Sequence, residues 1–177
     1  FNFYRRSPRY IEKTKAKKII EKLPKKIKKV GIFVNEKMDR IKKIADFCSL
    51  DLVQLSGDEN QDFISGLKNT LNKKIIKAFR VKNKSDVKKT KLYQTDFIML
   101  DSFKKGLYGG TGTAFNLNFT KNMGKKRLFL SGGLNILNVG KSIEEIKPYA
   151  IDVCSSIESS HGKKDFVKMK AFIEAAK

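Results

Sequence analysis

The chain has 177 residues, 40% of them apolar and 10% aromatic, and carries a formal net charge of +21. That length and composition suit a folded domain with a substantial buried core and exclude a small scaffold held by disulfides. No run approaches the roughly 18 consecutive apolar residues of a membrane span, and the opening FNFYRRSPRY lacks the apolar core of a signal peptide.

In chain order, short apolar runs end near Tyr4, Val34, Leu55, Phe79, Leu100, Leu130 and Val153, each followed by a stretch with helical periodicity. Intervals of about 20 to 30 residues are what strand–helix–strand units require, and such strands are parallel. Met38, Ile41, Ile44, Ala45 and Cys48 fall on one helical face; so do Phe166, Met169, Phe172, Ile173 and Ala176, with Asp165 in the favoured first turn. The three prolines sit near element ends, and no Pro/Ser-rich linker divides the chain, so residues 1–177 read as a single (β/α) barrel domain.

An open doubly wound sheet is the competing α/β architecture. Its glycine-rich turn follows the first strand. Here Gly110-x-Gly112-x-x-Phe115 lacks a third glycine and comes late, with Gly132-Gly133 and then Ser155-Ser156 after the following runs. Barrels of the (β/α)8 type hold phosphate in the loops after strands seven and eight, which selects the barrel. Seven runs are present, and Phe1 begins inside one of them. The expected fold is therefore a (β/α)8 barrel without its first strand and helix and part of strand two, on the order of 30 residues.

The charge invites a nucleic-acid reading. Lysine outnumbers arginine 33 to 6, however, and falls in doublets along the whole chain, from Lys25-Lys26 to Lys163-Lys164. A groove reader would cluster arginine, the better bidentate partner for guanine. The lysines read as solvated helix faces, and neither a specific nucleic acid nor a membrane is the expected partner. Cys48 and Cys154 fit no zinc spacing and no disulfide framework, so no metal site and a cytoplasmic location are expected. His161, the single histidine, lies in a polar turn and reads as surface.

The apolar run Phe97–Leu100 delivers Asp101 to a strand end, where barrels keep catalytic groups. Partial burial disfavours the anion and lets such a carboxyl act as a general acid; a loop-capping aspartate is the plainer alternative. The bare backbone of Gly109 to Gly112 favours the acid, because successive N–H groups with no side chains in the way form an anion cradle. Gly132-Gly133 after the next run extends that cradle, with Asn135 placed to begin the next helix. Asp152 and Cys154 share a strand face, and Ser155 and Ser156 offer hydroxyl and backbone donors.

These stretches resemble phosphoribosylanthranilate isomerase, a barrel enzyme of tryptophan biosynthesis. The matching segments are SPRYI (7–11), VGIFVN and LDLVQLSGDE (30–35 and 50–59), LDS and GGTGTAFN (100–102 and 109–116), and LSGGLN, DVCSSIE and GKKDFVKMKAFI (130–135, 152–158 and 162–173). They run in colinear order over essentially the whole chain. The resemblance implies a cofactor-free Amadori rearrangement of N-(5-phosphoribosyl)anthranilate to 1-(2-carboxyphenylamino)-1-deoxyribulose 5-phosphate. It implies Asp101 as the general acid; Arg9, Gln54 and Asp152 as substrate-binding residues; and Gly110, Thr111, Gly112, Gly132, Gly133, Ser155 and Ser156 as the phosphate site. Arg9 matches the family arginine near the anthranilate carboxylate, and Asp152 a carboxylate for sugar hydroxyls. The small phosphorylated sugar–anthranilate would be the only partner of a monomer or homodimer.

This sequence departs from the family at several places. The family's general base is a cysteine in a Lys-x-Cys-Gly stretch on strand one, and no such stretch occurs here; the base is expected in the absent amino-terminal strand. Ser56 stands where histidine is usual, Cys154 where serine is usual, and Ser156 where glycine is usual. Two other classes compete with the isomerase: a non-catalytic sugar-phosphate-binding barrel fragment that needs a partner segment, and a basic nucleic-acid-binding protein.

Overall fold

The computed structural model describes residues 1–102 and 127–177. They divide into two units: Phe1–Ala78 with Tyr93–Asp96, and Phe79–Leu92 with the described part of Phe97–Lys177. Among the described residues no helix is long and apolar enough to cross a membrane.

The first unit alternates helix and strand: α1 (Lys13–Ile20), β1 (Val30–Phe33), α2 (Met38–Phe47), β2 (Leu52–Leu55), α3 (Gln61–Thr70) and β3 (Lys74–Val81), whose last residues count with the second unit. The strands are parallel, as their spacing requires. Val30 is opposite Leu52 and Phe33 opposite Leu55; Leu52 is opposite Lys74 and Leu55 opposite Lys77. The first apolar run joins this sheet as a parallel bridge between Asn2 and Ile32. Phe3 N–H donates to Ile32 O at 2.9 Å, and Ile32 N–H to Phe1 O at 2.8 Å. The Phe3 ring stacks on Phe33 with centroids 5.3 Å apart. A Cβ on Gly31 would strike Leu50 and lie 3.0 Å from the Phe33 ring, so the absence of a side chain there lets the aromatic pair close over β1.

The helices pack as their periodicity predicts. Ile41, Ile44, Ala45 and Cys48 of the α2 face are buried, with Met38 partly so. Leu55, Ile64, Leu67 and Ile75 are fully buried in the same core, each worth about 1.5–3 kcal/mol. Helix α3 begins where Asn60 accepts a hydrogen bond from Phe63 N–H at 2.9 Å, satisfying a donor that the helix itself leaves open.

Beyond β2 lies a buried ion pair. Lys77 Nζ is 2.7 Å from Glu59 Oε2, and the two side chains are 3% and 2% exposed. Burying two charges is tolerable because both are richly hydrogen-bonded. Lys77 also donates to Gly57 O at 2.7 Å, while Glu59 accepts from Gly57 N–H at 3.0 Å and from Asn35 N–H at 2.8 Å. Asn35 has φ 49° and its side-chain oxygen accepts from Asp58 N–H at 2.6 Å. A Cβ on Gly57 would stand 2.7 Å from Asn35 N, so only glycine fits against that loop.

The second unit contains α4 (Lys84–Lys89), a 3-10 helix over Thr90–Leu92, β4 (Phe97–Ser102), β5 (Leu128–Leu130), α5 (Val139–Ile146) and β6 (Ala150–Ile151). An antiparallel hairpin of β7 (Glu158–Ser160) and β8 (Lys163–Lys164) follows, then α6 (Phe166–Ala175). Leu100 pairs with Leu130 and Leu130 with Ile151, again in parallel. Leu100, Leu128, Leu130 and Val139 are fully or almost fully buried in this unit's core.

Three local expectations are corrected. Asn135 does not begin a helix: it accepts from Leu137 N–H through its side chain and opens a turn, and α5 starts only after Asn138. Asp165 is the cap before α6 rather than a first-turn residue, accepting from Lys168 N–H at 3.0 Å. The expected apolar face of α6 is split. Phe172 is buried and Met169 packs on the core, whereas Phe166 and Ile173 are 79% and 56% exposed.

Replacing Lys77 by Met strands the Glu59 carboxylate in the core, a loss of about 3–5 kcal/mol. Urea melts of Lys77→Met, Glu59→Gln and the double variant check this: the double variant should regain much of the stability that Lys77→Met loses, and purely additive losses would contradict the pairing.

Candidate active site

Parallel register brings the ends of β4, β5 and β6 to one edge, and the ladder continues one residue past each pairing. Ser131 N–H donates to Leu100 O at 2.9 Å, and Asp152 N–H to Leu130 O at 2.7 Å. Asp101, Ser131 and Asp152 thus lie side by side in register at the carboxyl edge.

Asp101 is 7% exposed, as a carboxyl delivered by a buried strand should be. After β5 the chain must turn at once, and Gly132 and Gly133 take φ values of 92° and 68°, a region that L side chains avoid. The Gly133 carbonyl accepts from Asn138 Nδ2 at 3.0 Å, which draws the loop toward the start of α5. A small cleft opens at this edge. Five of the predicted site residues line it: Asp101, Gly132, Gly133, Asp152 and Ser155. Ser131, Leu134, Val153 and Cys154 complete the wall.

The second carboxylate, Asp152, accepts from Ser131 Oγ at 2.9 Å. Burial pushes its carboxyl above the usual aspartate range; the Ser131 hydrogen bond and the Lys164 charge oppose that rise. Cys154 is a half-buried thiol in no disulfide, and its Sγ donates to Glu158 Oε1 at 3.7 Å. Alternation along a strand does not govern this segment. Strand β6 ends at Ile151, and Asp152, Val153 and Cys154 all face the cleft from irregular backbone. Among the described residues no three His, Cys, Asp or Glu side chains are grouped so as to hold a metal ion.

The remaining predicted residues lie elsewhere. Ser156 is exposed, and its hydroxyl donates to Leu134 O at 2.6 Å, bracing the Gly132–Leu134 loop. Gln54 and Arg9 belong to the first unit. Gln54 is buried on β2 and donates to Ser56 Oγ at 3.0 Å, so serine takes up the amide where the family usually has histidine. Arg9 is half-buried in the turn after the first run, its N–H donating to Ser7 Oγ at 3.2 Å. Gly110, Thr111 and Gly112 lie outside the described residues. His161 is exposed. Sequence reasoning passed over Ser131, although a serine directly before a double glycine at a strand end was the available signal. It also passed over Lys164, whose role depends on the fold of a hairpin.

A family model described as N-(5'-phosphoribosyl)anthranilate (PRA) isomerase matches residues 1–175. A protein of Thermoanaerobacter pseudethanolicus named N-(5'-phosphoribosyl)anthranilate isomerase is 43% identical over 172 residues, 97% of this chain and 83% of that protein. One of the same name from Bacillus cereus is 44% identical over 165 residues, 92% of this chain and 78% of the relative. The crystal structure of phosphoribosyl anthranilate isomerase from Thermotoga maritima superposes with a TM-score of 0.90 at 35% identity, covering 99% of this chain and 85% of that one. A phosphoribosyl anthranilate isomerase in complex with reduced 1-(o-carboxyphenylamino)-1-deoxyribulose 5-phosphate gives a TM-score of 0.84 at 35% identity, covering 99% of this chain and 84% of that one. With the same α/β architecture of parallel strands and a family match along nearly its whole length, this chain belongs to the phosphoribosylanthranilate isomerase family.

Proposed function

We propose that Asp101 is the general acid of this chain's reaction, the acid/base Amadori rearrangement of N-(5-phosphoribosyl)anthranilate to 1-(2-carboxyphenylamino)-1-deoxyribulose 5-phosphate in tryptophan biosynthesis. The observation that carries the assignment is the cleft itself: a buried carboxyl at a strand end shares one hollow with a double-glycine turn and a second carboxyl. Parallel strands separated by helices, on a chain of this family, support a (β/α)8 barrel, in which such strand ends hold the chemistry.

The chemistry divides accordingly. Asp101 protonates the ribose ring oxygen as the C1–O bond breaks, leaving an iminium. Loss of the C2 proton to a base then gives the enol, which relaxes to the ketone. The backbone N–H groups of Gly132, Gly133 and Ser155, with Gly110 to Gly112, cradle the phosphate. As a remote handle, that group supplies binding energy that orients the sugar. Asp152 accepts hydrogen bonds from sugar hydroxyls. Arg9 and Gln54 enter through the family's motifs alone, Arg9 as a fork for the anthranilate carboxylate. A reducing cytoplasm suits two cysteines that form no disulfide.

In the enzyme, Asp101→Asn should lower kcat by about 10²–10⁴ while the inhibition constant of a product analogue changes only a few-fold. Steady-state fluorescence of phosphoribosylanthranilate consumption and product formation reads the first quantity and competition the second; normal turnover in the variant removes Asp101 from the acid's role.

Asp152 sets a pH dependence. Its folded-state pKa lies above the unfolded value, so the protonated form favours folding. That stabilisation is complete below the unfolded pKa and is lost as pH rises through the folded one. Asp152→Asn, which stays neutral, should therefore gain stability relative to the parent chain as pH rises from the usual aspartate range through the raised folded pKa, followed by urea titrations at several pH values. A difference that does not change with pH contradicts the burial effect.

A further inference from the structure

The segment Gly162-Lys163-Lys164-Asp165 matches the family and has no part in the chemistry so far described. Its fold gives Lys164 a specific task. Gly162 turns the β7–β8 hairpin with φ 81°, bringing Lys164 opposite Glu158. Lys164 Nζ then lies 3.0 Å from Glu158 Oε1, with the two side chains 39% and 4% exposed. Glu158 Oε1 also accepts from Gly162 N–H at 3.3 Å, and Glu158 O from Lys168 Nζ at 2.9 Å. The ammonium is thus anchored to a buried carboxylate held by the hairpin, on a residue whose backbone carbonyl is tied to α6.

From that anchor Lys164 reaches the wall of the cleft. Its Nζ donates to Cys154 O at 3.0 Å and approaches Cys154 Sγ at 3.6 Å. In a planar trans peptide the carbonyl of one residue and the N–H of the next point in opposite directions. The peptide joining Cys154 to Ser155 is trans. A carbonyl held toward Lys164 therefore turns the Ser155 N–H to the other side, and Ser155 lines the cleft. An independent observation agrees on the neighbourhood: the Lys164 charge is felt by Asp152, on the same cleft wall.

We propose that Lys164 is a positioning residue for the substrate's phosphate, holding the Cys154–Ser155 peptide so that its N–H faces the cleft. Lys164 acts through that peptide and through its positive field, and Glu158 acts by holding Lys164. Without the ammonium the peptide rotates more freely, and the donor is no longer preorganised for an anion. The inference rests on the phosphate reading of the cleft, and the experiment separates the two.

Inorganic phosphate is used as a competitive inhibitor of the enzyme and of Lys164→Met and Lys164→Arg, with kcat and KM measured for each and folding followed by circular dichroism. Lys164→Met should raise both KM and the phosphate inhibition constant by about tenfold, the loss of one charge-assisted hydrogen bond, with kcat within about threefold. Lys164→Arg, which keeps charge and donors, should recover most of both. If phosphate does not compete in the parent enzyme, the phosphate reading itself falls. Competition in the parent with an unchanged constant in Lys164→Met overturns the positioning role alone, as does a fall in kcat with KM untouched. Should Lys164→Met fail to fold, Lys164→Gln keeps a donor without the charge that anchors it to Glu158; it must show a rise in the same two constants, and unchanged constants overturn the proposal.

Discussion

The site depends on the register of three parallel strands. Because Leu100, Leu130 and Ile151 stand opposite one another, the residues that follow them emerge at one edge: Asp101, Ser131 and Asp152. Backbone bonds from Ser131 to Leu100 and from Asp152 to Leu130 carry the ladder into the cleft. A slip of one residue in either pairing would turn these side chains to the opposite face and disperse the constellation. The apolar core beneath prevents the slip, since Leu100 and Leu130 are fully buried in it and a slip would put polar Asp101 and Ser131 in their places.

That edge concentrates groups which a protein interior ordinarily excludes. Two carboxyls share the cleft, one of them raised by burial, and the loops around them have lost their side chains or turn their hydroxyls back on the backbone. Positive φ at Gly132 and Gly133, which glycine adopts without strain, leaves that turn's backbone bare of side chains at the cleft. Contrast the Lys77–Glu59 pair of the first unit, where the two charges meet each other and the backbone of Gly57 and Asn35, and the pair ties together the loops after β1 and β2. One set of buried polar groups opens onto a cleft, and the other is closed within the protein.

The large positive charge has little to do with either. Most of the lysines lie on exposed faces, where an ion pair such as Lys141 with Glu145, at 3.8 Å and largely solvated, adds little stability. Lys77 and Lys164 differ through their partners rather than their sequence context. Each is one of many lysines in a lysine-rich chain, and only the carboxylate it meets distinguishes it.

The order of strands and helices, the parallel pairing, the α2 face and the delivery of Asp101 and the double glycine to strand ends were all legible in the sequence. Each follows from local periodicity or from residue types with a narrow conformational repertoire. The capping details were less so: Asn135 and Asn138 are equally good turn formers, both amides donate to Gly133 O, and no local pattern marked Asn138 as the residue before α5. The exposed Phe166 and Ile173 of α6 show the same limit, since periodicity names a face but not what it packs against. Tertiary structure alone decided that Ser131 meets Asp152 and that Lys164 crosses a hairpin to the carbonyl of Cys154. Those contacts join residues whose separation along the chain carries no period, and only the folded path brings them within hydrogen-bonding reach.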